Sequence, residues 1–139
     1  MRAMEERLFT ANIESIPQMV AFVAEKAAEA GVHPKRVMQL ELATEEAVTN
    51  ICSYAYEVPP GRVTIRVSRE TGATRIDFID NGVPFDPLAA ETPDLQAELE
   101  QRTVGGLGIF LIRRLLDEVH YSRRDDQNVL TLVVKHESA

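Results

Sequence analysis

Glu46 and Asn50 stand four residues apart in a segment whose apolar residues recur at three- and four-residue steps. On a helix that spacing is about one turn, so a carboxylate and a carboxamide project from the same face. A carboxylate so placed can take a proton from a hydroxyl nucleophile. The amide oxygen can help hold a hard cation such as magnesium, which prefers oxygen ligands and keeps several waters. Polar pairs at this spacing also decorate solvated helix faces, as Glu41 and Glu45 are expected to do, so the pair alone decides nothing.

Two further segments carry chemistry of a different kind. Asp80-Asn-Gly82-Val-Pro84 follows a hydrophobic run. An ionised Asp80 can accept a hydrogen bond from an exocyclic amine, and the missing side chain at Gly82 lets a flat base approach the backbone. Asn-Gly after a strand is also the strongest short-range hairpin signal. Here Pro84 and Pro87 cannot serve a paired return strand, which turns the reading toward a loop. Gly105-Gly106-Leu-Gly108 opens an apolar helical run, where unpaired N–H groups and the positive end of a helix dipole can cradle phosphate. It lacks the Gly-Lys-Ser/Thr closure of a Walker loop and the spacing of a dinucleotide fingerprint. Tight packing or a hinge accounts for a short glycine tract equally well.

The elements that must position these residues follow from periodicity. A short strand is expected over 6–13. Ser15 is the expected N-cap of a first helix in which Val20, Phe22, Val23, Ala27 and Ala30 make an apolar face until Gly31. Pro34 opens a second helix, with Val37, Leu40, Ala43/Thr44, Ala47/Val48 and Ile51 facing inward before the breaker Pro59-Pro60-Gly61. Arg62 to Asp80 reads as an antiparallel hairpin turning at Thr71-Gly72. The polar stretch from Pro84 to Thr103 reads as a lid, with a helical turn at Asp94 to Glu100. A helix over 107–116 then leads into strands over 118–124 and 129–135 joined by Asp125-Asp126-Gln127-Asn128. The sum is a two-layer α+β sandwich, helices on one face of a mixed, mainly antiparallel sheet. Met38, Phe22 and Phe110 are expected in the core.

Length and composition set the outer bounds. The 139 residues, 45% hydrophobic, suit a single domain spanning 1–139, with its lid at about 84–104. A net charge of −7 repels nucleic acid and anionic membrane surfaces. The single cysteine, Cys52, permits no internal disulfide, and MRAMEERLF has no signal-peptide pattern, so a soluble cytoplasmic protein is expected. Cys52 reads as an inert helix thiol. His33, His120 and His136 lack partners at metal-ligand spacing and read as surface residues, as do the pairs Arg113-Arg114 and Arg123-Arg124.

Taken in this order, the three segments resemble the nucleotide-binding boxes of the GHKL, or Bergerat-fold, ATPase superfamily, and most closely its bacterial anti-sigma-factor serine/threonine kinases. Glu41-Leu-Ala-Thr-Glu-Glu-Ala-Val-Thr-Asn50 resembles their N box. Ile79-Asp-Asn-Gly-Val-Pro-Phe-Asp86 resembles the adenine box, and Gly105-Gly-Leu-Gly-Ile-Phe-Leu111 the glycine box. The resemblance runs from about Phe9 to the chain end. It implies ATP or ADP with Mg2+ as cofactors, Glu46 as the base that activates the attacking hydroxyl, and Asn50 as the residue that holds magnesium against the phosphates. It implies Asp80 and Gly82 at the adenine and Gly105, Gly106 and Gly108 at the phosphates. Thr131 lies on the strand where relatives often place a threonine near adenine, although Leu-Thr-Leu equally fits an outward strand position. Arg102 could reach a terminal phosphate from the lid, or remain a solvated lid charge.

The implied activity is transfer of the γ-phosphoryl group to a serine of an anti-sigma-factor antagonist, with a sigma factor as a second partner. The resemblance also implies a homodimer, for which 6–13 and the first helix could form the contact. Two other functions fit the same residues: a nucleotide-regulated sequestering module without phosphotransfer, and a detached histidine-kinase-type ATPase domain. Glu46 speaks against the first, since pure binding needs no base; the lack of an upstream helix presenting a histidine speaks against the second.

Overall fold

Val63, Ile65 and Val67, then Ile76 and Phe78, then Leu130, Leu132 and Val134 recur at every second residue, a pattern that makes the middle of one sheet face apolar. The computed structural model describes residues 4–54, 61–84, 86 and 112–136. The expected lid, the glycine segment from Gly105 to Gly108, Arg102 and Phe110 lie outside the described residues. The elements are β1 (Met4–Ala11), a 3-10 turn (Ile13–Ser15), α1 (Ile16–Glu29), α2 (Pro34–Tyr54), β2 (Gly61–Glu70), β3 (Ala73–Asp80), β4 (Glu118–Arg124) and β5 (Gln127–Lys135). Residues 112–115 are helical, matching the end of the helix expected over 107–116.

The five strands form one sheet in the order β1-β2-β3-β5-β4. Each of the four pairings is antiparallel, in line with the mainly antiparallel sheet expected, and no parallel pair occurs among the described residues. Val63, Ile65 and Val67 of β2, Ile76 and Phe78 of β3, and Leu130, Leu132 and Val134 of β5 are buried on the inner face. Met19, Phe22, Val23 and Ala27 of α1 and Leu40, Ala43, Ala47, Val48 and Ile51 of α2 join them in one core. Each such large side chain contributes about 1.5–3 kcal/mol on burial, which outweighs the weak intrinsic helix preference of α2's valines, isoleucine and threonines.

Local chemistry fixes the junctions. Asn12 caps the 3-10 turn by accepting a hydrogen bond from the Ser15 backbone N–H at 2.9 Å. The strand therefore stops at Ala11 rather than at Ile13, and Ser15 precedes α1 without a side-chain cap bond of its own. Gly31, at φ +96°, ends α1: its N–H reaches Ala28 O and that of Val32 reaches Ala27 O, the paired bonds of a Schellman cap. Gly72, at φ +75°, closes the β2–β3 hairpin as expected. The β4–β5 turn is tighter than its sequence suggests. Asp125 and Asp126 both take positive φ, 51° and 62°, which makes a two-residue turn and leaves Gln127 and Asn128 inside β5.

Met38 is a second departure: it is 67% exposed and outside the core. Two residues before Leu40, it points away from the buried stripe because successive helix positions rotate by about 100°.

Candidate functional site

Asp80 is the last residue of β3, paired with Val63 on one side and Asn128 on the other. Its side chain lies on the helix-covered face, in phase with Phe78 and Ile76, and is only 3% exposed. A carboxylate in such a place needs hydrogen-bond partners. Oδ1 receives two, from the Gly82 backbone N–H at 2.9 Å and from Asn128 Nδ2 at 3.0 Å. Burial pushes the Asp80 carboxyl pKa up, opposed in turn by the Asn128 bond, the Gly82 bond and the positive charge of Arg123. Both bonds fall on Oδ1, and among the described residues Oδ2 has no hydrogen-bond partner.

The turn after Asp80 is held from the neighbouring hairpin. Asn128 Nδ2 also donates to Val83 O at 2.8 Å, and Arg123 Nη1 donates to Gly82 O at 2.9 Å. The Tyr121 hydroxyl donates to Asn128 Oδ1. Asp80-Asn-Gly-Val is thus pinned as a bend just beyond the end of β3.

Glu46 and Asn50 come from α2 as expected, one turn apart. Glu46 is half-buried, whereas Asn50 is 3% exposed. Residues 55–60 separate α2 from Gly61, and β2 then brings Val63 opposite Asp80. That short connection limits how far the C-terminal end of α2 can stand from the strand end that carries Asp80. Glu41 is partly exposed and Glu45 exposed, in line with a solvated face.

Asn50 Nδ2 is buried without a hydrogen-bond partner among the described residues. A buried amide group with unmet bonding capacity is uncommon in a native fold and fits a site that awaits polar ligands. The carboxamide can turn its oxygen or its nitrogen to them. The donor set suits magnesium, which accepts a neutral amide oxygen beside phosphate oxygens and water.

Thr131 does not join this group. Its register partner is Asp77, and its hydroxyl donates to Asp77 Oδ1 at 2.6 Å on the sheet face away from the helices. Strand alternation puts that face opposite to the one carrying Asp80, so the adenine role considered for Thr131 is not supported by its position. Gly82 is where expected, beside Asp80. Gly105, Gly106 and Gly108 lie outside the described residues.

Sequence reasoning missed Asn128, Tyr121 and Arg123. Asn128 was hidden by reading Asp125 to Asn128 as one loop; a two-residue Asp-Asp turn would have placed it opposite Asp80. Arg123 read as a solvated charge but bonds the Gly82 carbonyl. Among the described residues no three His, Cys, Asp or Glu side chains could hold a metal ion together. His33, just ahead of α2, accepts from the Lys35 backbone N–H at 3.1 Å, and burial raises the Cys52 thiol pKa, which keeps it protonated and inert. No described helix is long and apolar enough to cross a membrane.

Comparison with known proteins gives this geometry a context. The profile of the histidine kinase-like ATPase domain matches residues 9–134. The serine/threonine-protein kinase BtrW of Bordetella bronchiseptica is 37% identical over 94 residues, 67% of this chain and 66% of that protein. The serine-protein kinase RsbW of Bacillus cereus is 30% identical over 98 residues, 68% of this chain and 61% of that protein. The chain thus spans a little under two thirds of the length of these relatives. Among solved structures, the RsbU and RsbW domains of a Mycobacterium tuberculosis protein superpose with a TM-score of 0.66 at 18% identity, covering 96% of this chain and 32% of that one. The Acinetobacter baumannii histidine kinase AdeS gives 0.54 at 14% identity, covering 99% and 70%. At such identities these two structures speak for the fold alone.

Proposed function

Since the chain belongs to the histidine kinase-like ATPase domain family, we propose that it binds ATP and transfers the γ-phosphoryl group to a serine of a partner protein. The observation that carries this reading is Asp80: a buried carboxylate with both of its hydrogen bonds on Oδ1, beside a glycine that leaves room for a flat ring. Oδ2 accepts the exocyclic amine of adenine. That amine is a donor, so an ionised acceptor suits it and disfavours a purine with a carbonyl at the same place.

Glu46, half-buried one turn before Asn50, takes the proton of the attacking serine hydroxyl. Asn50 turns its buried carboxamide toward the phosphate side, where its oxygen would hold magnesium. Magnesium, when bound, neutralises the charge of the phosphate oxygens and of the leaving diphosphate. In a reaction that needs little covalent help from the protein, these residues act chiefly by position and charge. The glycines at 105, 106 and 108 frame the phosphate end in this reading, and the partner is an anti-sigma-factor antagonist, with a sigma factor as second ligand. The kinases BtrW and RsbW support this assignment at 37% and 30% identity.

Calorimetric titration with ADP and ATP in the presence of magnesium tests the premise. Saturable binding at one site per chain is expected. Absence of binding by folded protein would refute the nucleotide reading and leave a scaffold that acts through protein contacts alone.

A further inference from the structure

Asp80 is held from two sides: by the Gly82 N–H of its own turn at 2.9 Å and by a side chain of the neighbouring strand. Its Oδ1 is gripped by Asn128 Nδ2 at 3.0 Å, and the second N–H of the same Nδ2 reaches Val83 O at 2.8 Å. Asn128 therefore bridges the carboxylate and the end of the turn that follows it, across the β3–β5 ladder. It is itself buried, at 4% exposure. Its Oδ1 accepts the Tyr121 hydroxyl from β4, which fixes the carboxamide with its nitrogen toward Asp80; the reverse orientation would set two acceptors face to face. Arg123, the register partner of Asn128, adds a third tie at Gly82 O, 2.9 Å away. Tyr121, Arg123, Asn128 and Asp80 all lie on the sheet face that the helices cover.

We infer that Asn128, oriented by Tyr121, is the side chain that sets base selectivity in this site, by holding Asp80 Oδ1 together with the Gly82 N–H so that Oδ2 meets the base. This rests on the nucleotide reading above and deepens it: the ligand class is a 6-aminopurine nucleotide, and the device that selects it is built from the β4–β5 hairpin. A carboxylate free to rotate could meet the base with either oxygen, could recruit water, and would discriminate less between an amine and a carbonyl on the ring. Held by Asn128, it presents one acceptor in one direction. The side chain at 128 must therefore be a donor to both Asp80 and Val83 O and an acceptor from Tyr121, a combination that a carboxamide supplies and an aspartate does not.

The experiment compares ADP with inosine diphosphate, which differs in carrying a carbonyl where adenine has its amine. Both are titrated calorimetrically with magnesium into wild type, Asn128→Ala, Asn128→Asp and Tyr121→Phe, each first checked by thermal unfolding. Wild type is expected to prefer ADP by about a hundredfold, and Asn128→Ala to lower that preference by about tenfold, the scale of one hydrogen bond to a charged group. Tyr121→Phe, which removes one oxygen and keeps the ring, should lower it in the same direction by a few-fold. Asn128→Asp sets two carboxylates together that share a proton, so its ADP affinity should fall as pH rises, with a slope that wild type lacks. A merely structural role would weaken both nucleotides equally and leave their ratio unchanged. An unchanged ratio in folded Asn128→Ala and Tyr121→Phe would overturn the inference while wild-type ADP binding kept the nucleotide reading intact. Wild type that binds neither nucleotide would overturn both.

Discussion

Replacing Asp80 by asparagine should separate ligand recognition from stability, because the two depend on different atoms of one side chain. Asn keeps an oxygen at Oδ1, so the acceptor for Gly82 N–H and Asn128 Nδ2 survives with little change in shape. At the other position an NH2 replaces Oδ2, and a donor then faces the exocyclic amine of adenine. The lost hydrogen bond to a charged group is worth about 1.5–3 kcal/mol, or about 10- to 150-fold in affinity, and the opposed donors add to it. Stability moves the other way. Burial raises the Asp80 pKa above its ordinary value of 3.8, so the folded state holds that proton more tightly than the unfolded chain does. The stability this group contributes is then present at low pH and is lost as pH rises through the folded-state pKa. Asn does not titrate. Asp80→Asn should therefore be at least as stable as wild type at neutral pH, with its relative advantage shrinking as pH falls toward the ordinary carboxylate range. Calorimetry with ADP and urea unfolding at several pH values read the two effects. A variant that binds ADP like wild type would refute the role of Oδ2. One that is less stable at neutral pH than at acid pH, relative to wild type, would refute the burial argument.

Three other substitutions probe the remaining parts. Glu46→Gln should leave ADP affinity within about twofold while lowering phosphotransfer by at least about a hundredfold, since only the base is removed; single-turnover assays with labelled ATP measure it. Asn50→Leu should weaken ATP binding and reduce its dependence on magnesium, while removing a buried amide nitrogen that has no partner among the described residues should leave the melting temperature unchanged or raised. Phe78→Ala empties the centre of the sheet, where Phe78 is fully buried, and should destabilise the fold by about 3–5 kcal/mol in denaturant titration.

The fold was legible wherever periodicity and turn chemistry agreed. Val63, Ile65 and Val67 alternate with polar residues, and Thr71-Gly72 turns them onto a strand of like pattern, so the β2–β3 hairpin follows from local residues alone. The inward stripe of α2 from Leu40 to Ile51 is equally plain. What escaped depended on a single side chain or a backbone preference that composition does not display. Asn12 ends β1 by folding its side chain onto Ser15, which no alternation rule anticipates. Asp125 and Asp126 both adopt positive φ, an unusual pairing in the absence of glycine, and the shortened turn carries Asn128 into the strand. Met38 fell out of the core because the apolar residues of α2 are more numerous than its buried face can hold.

For the site, the helix pair Glu46 and Asn50 and the strand-end Asp80 were visible because their neighbours define helix and strand unambiguously. Thr131 was drawn toward the site by family resemblance, although the alternation in Leu130-Thr131-Leu132 already points it outward. The clamp of Tyr121, Arg123 and Asn128 was invisible in sequence, since its three bonds join residues more than forty positions from the turn or meet only through strand register.

The measurement that bears most directly on the proposed activity is transfer of label from γ-labelled ATP, with magnesium, to the serine of an anti-sigma-factor antagonist domain from the same cell. Wild type should place phosphate on serine, and Glu46→Gln, binding ADP equally well, should not. If wild type binds ATP yet transfers nothing to any such domain, the chain is a nucleotide-regulated sequestering module and the kinase assignment is wrong.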